Sequence, residues 1–435
     1  MILAAVACAM LLLMLLTRVP LGFTLTLCGI GGIAAVHPRG LPAALAIAEQ
    51  QFIDLAFNFQ FSALALFLTM GVFVVGAGLA DDLFDMSQRW VGHWRGGLAV
   101  AAVVTSAGFA AICGSSTAAT STMASVAVPA MRRFNYSLRF SAGTVAAGGT
   151  LGILVPPSSA LIIYGLLTGT SIDRLFMAAL VPAVIQVAAY IIAIAIVARI
   201  WPDWAPAASR SSWSERGRAL GRVWSVLALF VLIIGGLFAG RFTTTEAGGV
   251  GAGGAMLIAL LRGRLSRRVL LDGLARSART IGLIYVVAAG AMVLGQFVNL
   301  DGAPAAALEF IQHLQLAPMA VVGMILLLYV VLGLFIDGYA MLFLTVPIVC
   351  PVISSMGMDL TWWGIVVIIT VEMAMISHPF GLNICIMRAF VPEASLLTIF
   401  LGVVPYLLAD LARLALVVLL PTTVALVAPL FQGNL

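Results

Sequence analysis

The chain has 435 residues, of which 63% are hydrophobic and 9% charged, and its formal net charge is +5. Soluble domains usually carry about a quarter charged residues, so this composition excludes a protein folded wholly in water. All 22 basic residues counted as Lys+Arg are arginine, which excludes a Walker A phosphate loop and a Schiff-base lysine from this chain.

Apolar segments recur from one end of the chain to the other. The length rule, for a hydrocarbon core of about 30 Å, predicts about ten to twelve spanning or re-entrant elements. The first segment, Met1–Leu16, lacks the basic n-region and small-residue cleavage pattern of a signal peptide, so it is predicted to be a retained helix. The sequence therefore predicts an all-α, multi-pass membrane protein.

Arginines are concentrated in three regions, residues 89–139, 199–222 and 262–279. Basic residues favour the cytoplasmic side of a membrane, so all three regions are predicted to be cytoplasmic. No arginine lies between Arg279 and Arg388. The connections in that stretch are therefore expected at the outer face.

The apolar segment Gly97–Met131 is predicted to enter the membrane and return to the same side. Arginines flank both of its ends, and its midpoint, Cys113–Thr120, is rich in small and hydroxyl residues. Such residues can turn the chain while their oxygens satisfy freed backbone groups. The pattern favours a re-entrant hairpin over two full crossings.

A broken helix is predicted next, over Ser141–Thr168. Glycines and a proline pair interrupt its apolar pattern, and proline removes a backbone donor and clashes with the preceding turn. Irregular backbone at membrane depth is tolerated only where it is buried in protein or lines a cavity. The interrupting residues are Gly148, Gly149, Gly152, Pro156 and Pro157.

The second half repeats this order of elements. A long apolar block, Ala317–Met356, is interrupted at Gly333–Gly338, and the helix Trp363–Ile376 is followed by the irregular stretch Ser377–Asn383. A hairpin followed by a broken helix thus occurs twice, which predicts an inverted repeat, the usual architecture of secondary transporters. The predicted division is a membrane half over residues 1–198, a cytoplasmic connector over 199–222 and a second membrane half over 223–435.

These breaks indicate the chemistry of the site. Unwound backbone presents carbonyl oxygens to a cation, and the N-terminus of a half-helix offers NH groups to an anionic substrate. The pattern predicts a site for sodium and a carboxylate, with sodium the only metal and no other cofactor. The predicted cation ligands are Ser115, Ser116, Thr117, Gly152, Val155, Pro157, Gly333, Gly338, Ser377, Phe380 and Asn383.

Acidic residues inside apolar segments are the next candidates. Asp337, Glu372 and Asp410 lie in such segments, where an ionisable group is costly and usually functional. Asp337 is the preferred acid. His378 either indicates proton coupling or is a packing residue. Glu246 either has a role of this kind or caps a helix start. The residues predicted to contact substrate or to couple it to an ion are Thr120, Asp337, Glu372 and His378.

Several motifs, in order along nearly the whole chain, resemble those of the large membrane subunit of the TRAP transporters, the tripartite ATP-independent periplasmic family. The matching stretches are Val91–Leu98, Gly114–Thr120, Gly149–Ser158, Ser171–Phe176, Phe242–Ala247 and Val404–Asp410. The motifs are specific for this family only when taken together, and no single motif would identify it.

The resemblance implies an elevator-type, sodium-coupled carrier with two re-entrant hairpins and two broken helices. It implies two protein partners, a small four-helix membrane subunit and a periplasmic binding protein that delivers the substrate. The substrates implied are carboxylates such as C4-dicarboxylates, sialic acid and keto acids; no nucleic acid is expected as a partner. The chain departs from the family at Ser377-His378, where Thr-Pro is usual, and at Cys113, where serine often stands.

Two other interpretations remain open. A proton-coupled anion transporter of the wider ion-transporter superfamily would use Asp337, Glu372 or His378, and dependence on the driving gradient separates it from a sodium carrier. An intramembrane enzyme, such as a lipid or prenyl transferase, would need clustered carboxylates for Mg²⁺. The sequence has no such pair in an apolar setting, since Asp81 and Asp82 lie in a polar turn. We therefore expect a transporter rather than an enzyme.

Overall fold

The computed structural model of the chain describes residues 19–313, 316–333, 338–377 and 381–425. Within these ranges the chain is helical and contains no strand. Six of the described helices are long and apolar enough to cross a membrane, and two bent helix pairs would raise the number to eight. The predicted all-α polytopic membrane fold is thus confirmed, whereas the predicted first helix, Met1–Leu16, lies outside the described residues.

The helices that precede the arginine-rich connector include several that begin at a side-chain cap, as where Asn58 Oδ1 accepts a hydrogen bond from the NH of Gln60. They are α1 Leu21–Val36, α2 Leu41–Ala56, α3 Phe59–Gly76, α4 Leu79–Val91, α5 Gly97–Cys113, α6 Ser116–Arg133, α7 Leu138–Leu154, α8 Ser159–Thr168 and α9 Ile172–Ile200.

The connector contains a short 3₁₀ turn, Pro202–Trp204, and one helix with a capping box between Ser212 and Glu215. The helices from the connector onward are α10 Trp213–Arg222, α11 Trp224–Phe230, α12 Gly236–Phe238, α13 Thr244–Leu261, α14 Arg267–Leu300, α15 Ala303–His313, α16 Pro318–Gly333, α17 Gly338–Ser355, α18 Leu360–Ile376, α19 Leu382–Phe390, α20 Leu396–Leu419 and α21 Thr422–Ala425, with a π-turn, Val231–Gly235, between α11 and α12.

Glu246 caps the start of α13, which confirms the capping role, one of the two predictions for this residue. The Thr243 hydroxyl accepts a hydrogen bond from the NH of Glu246, and the Glu246 carboxylate accepts one from the NH of Thr243 at 2.8 Å. The helix therefore begins where a Thr-x-x-Glu pattern predicts.

The three arginine-rich regions meet at one end of the molecule. Arg262, after α13, donates a hydrogen bond to the carbonyl of Arg222 in the connector at 3.2 Å and lies 2.5 Å from Asp82 on α4. From the connector, Arg216 donates a hydrogen bond to the carbonyl of Arg89 and lies over the Trp213 ring at 4.9 Å. These contacts place parts of all three regions on the same side, as the distribution of arginine predicts.

Glycines allow several membrane helices to approach closely, as is common where helices pack in lipid. A Cβ at Gly22 of α1 would lie 2.7 Å from the Val286 side chain, and one at Gly290 of α14 would lie 2.6 Å from the carbonyl of Gly22. Between α7 and α20, a Cβ at Gly143 would lie 2.2 Å from the backbone of Gly402. The first broken helix thus packs directly on a helix of the second half.

Both broken helices are present. The axes of α7 and α8 differ in direction by 40° across the gap at Val155–Ser158. In the second half, α18 ends at Ile376 and α19 begins at Leu382. The chain is therefore unwound close to the two positions that the sequence predicts, although residues 378–380 are outside the described part.

The prediction that glycines interrupt the first broken helix was wrong. Helix α7 continues through Gly148, Gly149 and Gly152 as far as Leu154. The glycines instead make room for neighbouring elements. A Cβ at Gly148 would lie 2.8 Å from Ser106 Oγ of α5, and one at Gly149 would lie 1.8 Å from Thr120 Oγ1 of α6. Only the Pro156-Pro157 segment breaks the helix, since proline cannot supply the backbone donor that the next turn needs.

Candidate functional site

The tip of the first hairpin forms between α5 and α6. Helix α5 ends at Cys113, and Gly114 has a left-handed backbone with φ of +62°. Ser115 then caps α6, where its hydroxyl accepts a hydrogen bond from the NH of Ala118 at 3.5 Å and lies 3.1 Å from Thr117 Oγ1. Two predicted ligands, Ser115 and Thr117, therefore stand side by side at this tip.

The hairpin tip is tied to the first break. Ser159, the first residue of α8, donates a hydrogen bond from its hydroxyl to the carbonyl oxygen of Gly114 at 2.6 Å. A Cβ at Gly152 would lie 2.7 Å from the backbone of Ser115, and one at Gly114 would lie 2.7 Å from the carbonyl oxygen of Pro157. The structure thus brings Gly152 and Pro157 of the broken helix against the hairpin tip.

The second broken helix reaches the same tip. The Asn383 amide, near the start of α19, donates one hydrogen bond to Ser116 Oγ at 2.9 Å and another to the carbonyl of Ala146 at 3.1 Å. Both Ser116 and Asn383 are buried. Two predicted ligands from opposite halves of the chain are therefore in direct contact.

Ser377 stands at the end of α18 and turns back on its own helix. Its hydroxyl donates a hydrogen bond to the carbonyl of Ala374 at 3.0 Å. The carbonyl of Ser377 accepts a hydrogen bond from the NH of Gly381 at 2.9 Å, which closes the second break. The predicted residues His378 and Phe380 lie outside the described residues.

The second hairpin also approaches this region. Gly333 and Gly338 pack on α18, because Cβ atoms there would lie 2.3 Å from Ala374 Cβ and 2.5 Å from Val371 Cγ1. The next residue, Tyr339, has its hydroxyl 2.8 Å from Ser159 Oγ of the first broken helix. Asp337, the preferred acid, lies outside the described residues.

Thr120 and Val155 complete the predicted set near the first break. Thr120 lies in the second turn of α6, and its buried hydroxyl has no hydrogen-bond partner. It faces Gly149 rather than the hairpin tip. Val155 is the first residue beyond α7 and has an extended backbone, with ψ of 121°. Its carbonyl is therefore released from the helix at the break.

The oxygens gathered at the first hairpin tip and first break are hydroxyl, amide and carbonyl oxygens. In the described part of the chain, no group of three or more histidine, cysteine, aspartate or glutamate residues is placed to hold a metal ion. Neutral oxygens of unwound backbone and serine are the ligands that membrane carriers use for sodium. The arrangement fits a monovalent cation better than a transition metal.

Glu372 lies in a buried cluster of charges. Arg413 Nη2 on α20 lies 2.5 Å from Glu372 Oε2 and 3.0 Å from Asp410 Oδ1. The hydroxyl of Tyr190 donates a hydrogen bond to Asp410 Oδ2 at 2.6 Å. Glu372 and Asp410, both singled out from the sequence, are thus joined through an arginine.

Sequence reasoning missed Arg413, Ser159 and Tyr339. Asp410 and Arg413 are three residues apart within one apolar helix, and this spacing on a helix face is a signal that could have paired them. Ser159 directly follows Pro-Pro-Ser, where a hydroxyl could be expected to bind a freed carbonyl. For Tyr339 the sequence offers no signal, since its partner is 180 residues away.

Comparison with known proteins gives consistent matches. The protein-family model described as tripartite ATP-independent periplasmic transporter, DctM component, matches residues 8–423 of the chain. The chain is 33% identical over 368 residues to the C4-dicarboxylate TRAP transporter large permease protein DctM of Pseudomonas aeruginosa, covering 80% of this chain and 84% of that protein. It is 28% identical over 422 residues to the sialic acid TRAP transporter large permease protein SiaM of Vibrio cholerae, covering 97% of each.

Two further matches extend this result. The chain is 28% identical over 426 residues to the 2,3-diketo-L-gulonate TRAP transporter large permease protein YiaN of Escherichia coli, covering 92% of this chain and 97% of that protein. Its fold is similar to the crystal structure of the Alcanivorax borkumensis YdaH transporter, with a TM-score of 0.66 over 89% of this chain and 90% of the other, at 14% identity. At that identity the likeness concerns the fold alone.

Proposed function

This chain belongs to the DctM component of the tripartite ATP-independent periplasmic transporter family, and from that premise we propose that it is a permease subunit for sodium-coupled uptake of a small organic acid. The relatives support the substrate class, because their names specify a C4-dicarboxylate, sialic acid and a diketogulonate. The location that we propose is the bacterial inner membrane.

The observation that carries the sodium proposal is the contact between Ser116 and Asn383. It joins the tip of the first hairpin to the second broken helix through a hydrogen bond between two neutral side chains, with the amide nitrogen 2.9 Å from the hydroxyl oxygen. A cation bound at the tip would draw on carbonyls freed at the first break and would thereby hold hairpin and broken helices together. Ion binding can thus favour one arrangement of these elements over another.

A carboxylate substrate would use the other property of the breaks. Helices α8 and α19 both begin at a break, and the N-terminus of a half-helix carries a positive dipole end and free NH groups. The two N-termini belong to opposite halves of the chain. We propose that the substrate binds between them, that its carriage follows an elevator mechanism, and that a small four-helix membrane subunit and a periplasmic binding protein complete the transporter.

The test is uptake of radiolabelled carboxylates into proteoliposomes containing this chain, its membrane partner and the binding protein. An inward sodium gradient is compared with an inward proton gradient. We expect uptake to require sodium, and Ser116→Ala to raise the sodium concentration for half-maximal uptake. Ser125→Ala is the matched control, because Ser125 is an exposed serine on the same helix.

Either arm can contradict the proposal. Uptake driven by protons without sodium would favour the proton-coupled alternative. If uptake depends on sodium in the same way in Ser116→Ala, Ser125→Ala and the unmodified chain, the cation site does not lie at the first hairpin tip.

A further inference from the structure

A cluster of charges is buried among the helices, about one turn before the second break. Glu372 on α18 and Asp410 and Arg413 on α20 all have side chains with 0% exposure, and Arg413 Nη2 contacts both carboxyl groups. Glu372 lies five residues before Ser377, the first residue of the second break. The cluster therefore neighbours the break, but its described contacts are made by Arg413, Asp410 and Glu372 and not by Ser377.

Corresponding positions of the two halves supply this cluster. Helices α7 and α18 have 17 residues each, and Thr150 and Glu372 are the thirteenth residue of their helices. Likewise, Gln186 on α9 and Asp410 on α20 are both the fifteenth residue. The polar residues of the first half are neutral, whereas those of the second half are charged.

The charges in the cluster do not balance. Arginine stays protonated in proteins, so two ionised carboxylates and one guanidinium would leave a net charge of −1 in the apolar interior. Among the described residues, the charged groups that interact with Glu372 are Arg413 and Asp410, and Tyr190 is the other titratable group of the cluster. A buried, uncompensated charge is costly, and a proton on one carboxylate would remove it.

The hydrogen bonds favour one orientation of the Gln186 amide. Its NH₂ group donates to Thr150 Oγ1 at 3.1 Å and to the Tyr190 hydroxyl at 3.3 Å. Those hydroxyls use their own protons elsewhere, Thr150 on the carbonyl of Ala147 at 2.7 Å and Tyr190 on Asp410 at 2.6 Å. A reversed amide would place its oxygen against the Tyr190 hydroxyl, whose proton is on Asp410, and against Thr150 Oγ1, which would have to give up its bond to Ala147. With the NH₂ group facing both hydroxyls, neither bond is lost.

Three acceptor oxygens of the cluster then have no hydrogen-bond donor. One of them, Asp410 Oδ1, still lies 3.0 Å from Arg413 Nη2, which leaves two without a donor or a cation. Gln186 Oε1 and Glu372 Oε1 are both buried and have no hydrogen-bond partner, although the two side chains are near enough to interact. Buried polar atoms without partners are rare and costly. Neither atom carries a proton to offer the other when Glu372 is ionised.

We propose that Glu372 binds one proton on Oε1 and that the resulting hydroxyl donates a hydrogen bond to Gln186 Oε1. The proton comes from solvent, one O–H bond forms, and the cluster becomes neutral with Asp410 ionised and Arg413 positive. Sodium is not the ligand, because Arg413 Nη2 lies where a cation between the carboxylates would lie. If the proposed transport function holds, a neutral cluster also adds no charge movement to the transport cycle.

The ionised alternative has one point in its favour. Arg413 Nε and Nη1 are also buried without an acceptor, so rotation of the guanidinium could exchange one contact for another. It could not change the net charge. The protonation state of the carboxyl groups distinguishes the two cases directly.

The experiment is infrared spectroscopy of the full chain in lipid nanodiscs at neutral pH, without substrate or sodium. The unlabelled protein is compared with protein carrying ¹³C at the glutamate carboxyl carbons and, separately, at the aspartate carboxyl carbons. We expect a carboxylic-acid C=O band that shifts with the glutamate label only. We expect Glu372→Gln to lose this band and Glu49→Gln, at an exposed position of α2, to retain it.

Three outcomes would overturn the proposal: no carboxylic-acid band at neutral pH, a band that shifts with the aspartate label instead, or a band that persists in Glu372→Gln. The labelled, unmodified protein decides the first two even if Glu372→Gln does not fold. Because the measurement uses neither substrate nor sodium, its result does not depend on the proposed transport function.

Discussion

The contact between Ser116 and Asn383 should contribute measurably to stability. Asn383→Ala removes the hydrogen bond to Ser116 at 2.9 Å and also the one to the carbonyl of Ala146 at 3.1 Å. Ser116→Ala removes the first of these and leaves the second. Each buried group left without a partner costs about 1–3 kcal/mol, so Asn383→Ala should destabilise the protein more than Ser116→Ala.

The pairwise part can be isolated by a double-mutant cycle. Hydrogen bonds between membrane helices have coupling energies of about 0.6 kcal/mol on average and up to about 1.7 kcal/mol, so we expect a value in this range. The assay is the free energy of unfolding in lipid bicelles for the unmodified protein, both single variants and the double variant.

The matched control cycle pairs Asn383→Ala with Ser125→Ala. Ser125 is exposed, and its hydroxyl bonds within its own helix, so this pair should be additive within about 0.5 kcal/mol. A Ser116–Asn383 coupling energy no larger than that of the control pair would refute the contact between the first hairpin and the second broken helix.

Two further substitutions test the packing around the first break. Gly149→Ala should destabilise the protein by about 1–3 kcal/mol, because the added Cβ would lie 1.8 Å from Thr120 Oγ1. The control, Gly253→Ala, places its Cβ in open space and should be neutral or stabilising in thermal unfolding. Equal unfolding midpoints for the two variants would be inconsistent with the close approach at Gly149. Tyr339→Phe should cost about 0.5–1.5 kcal/mol and less than Ser159→Ala, since Ser159 also bonds the carbonyl of the hairpin tip at 2.6 Å. The reverse order in chemical denaturation would show that the hydroxyl pair outweighs the hairpin bond.

Local chemistry made part of this structure predictable. The break after Leu154 follows from the missing backbone donors of Pro156 and Pro157, and the start of α13 follows from the Thr-x-x-Glu spacing at Glu246. Both depend on residues only a few positions apart. The all-α membrane fold likewise follows from the length and composition of the apolar segments.

The remaining features depend on contacts across the fold. A glycine such as Gly149 can mark either a break in a helix or a close contact between helices. The sequence does not show that Thr120 lies against Gly149, so the glycine was interpreted as part of a break. Ser116 and Asn383 are 267 residues apart, and only the packed structure brings them together. The roles of the candidate site residues and the division into two halves and a connector stay predictions.

If the proposed cation site lies at the first hairpin tip, its uncharged oxygens determine which ions it can select. Strongly hydrated divalent ions such as Mg²⁺ give up water reluctantly and are held in proteins mainly by carboxylates. Ser115, Thr117 and the carbonyls beside them provide dipoles but no negative charge to offset that dehydration. We expect discrimination at this tip to rest on the cost of dehydration and on ionic radius, so that calcium and magnesium should compete poorly even when they greatly outnumber the monovalent ion.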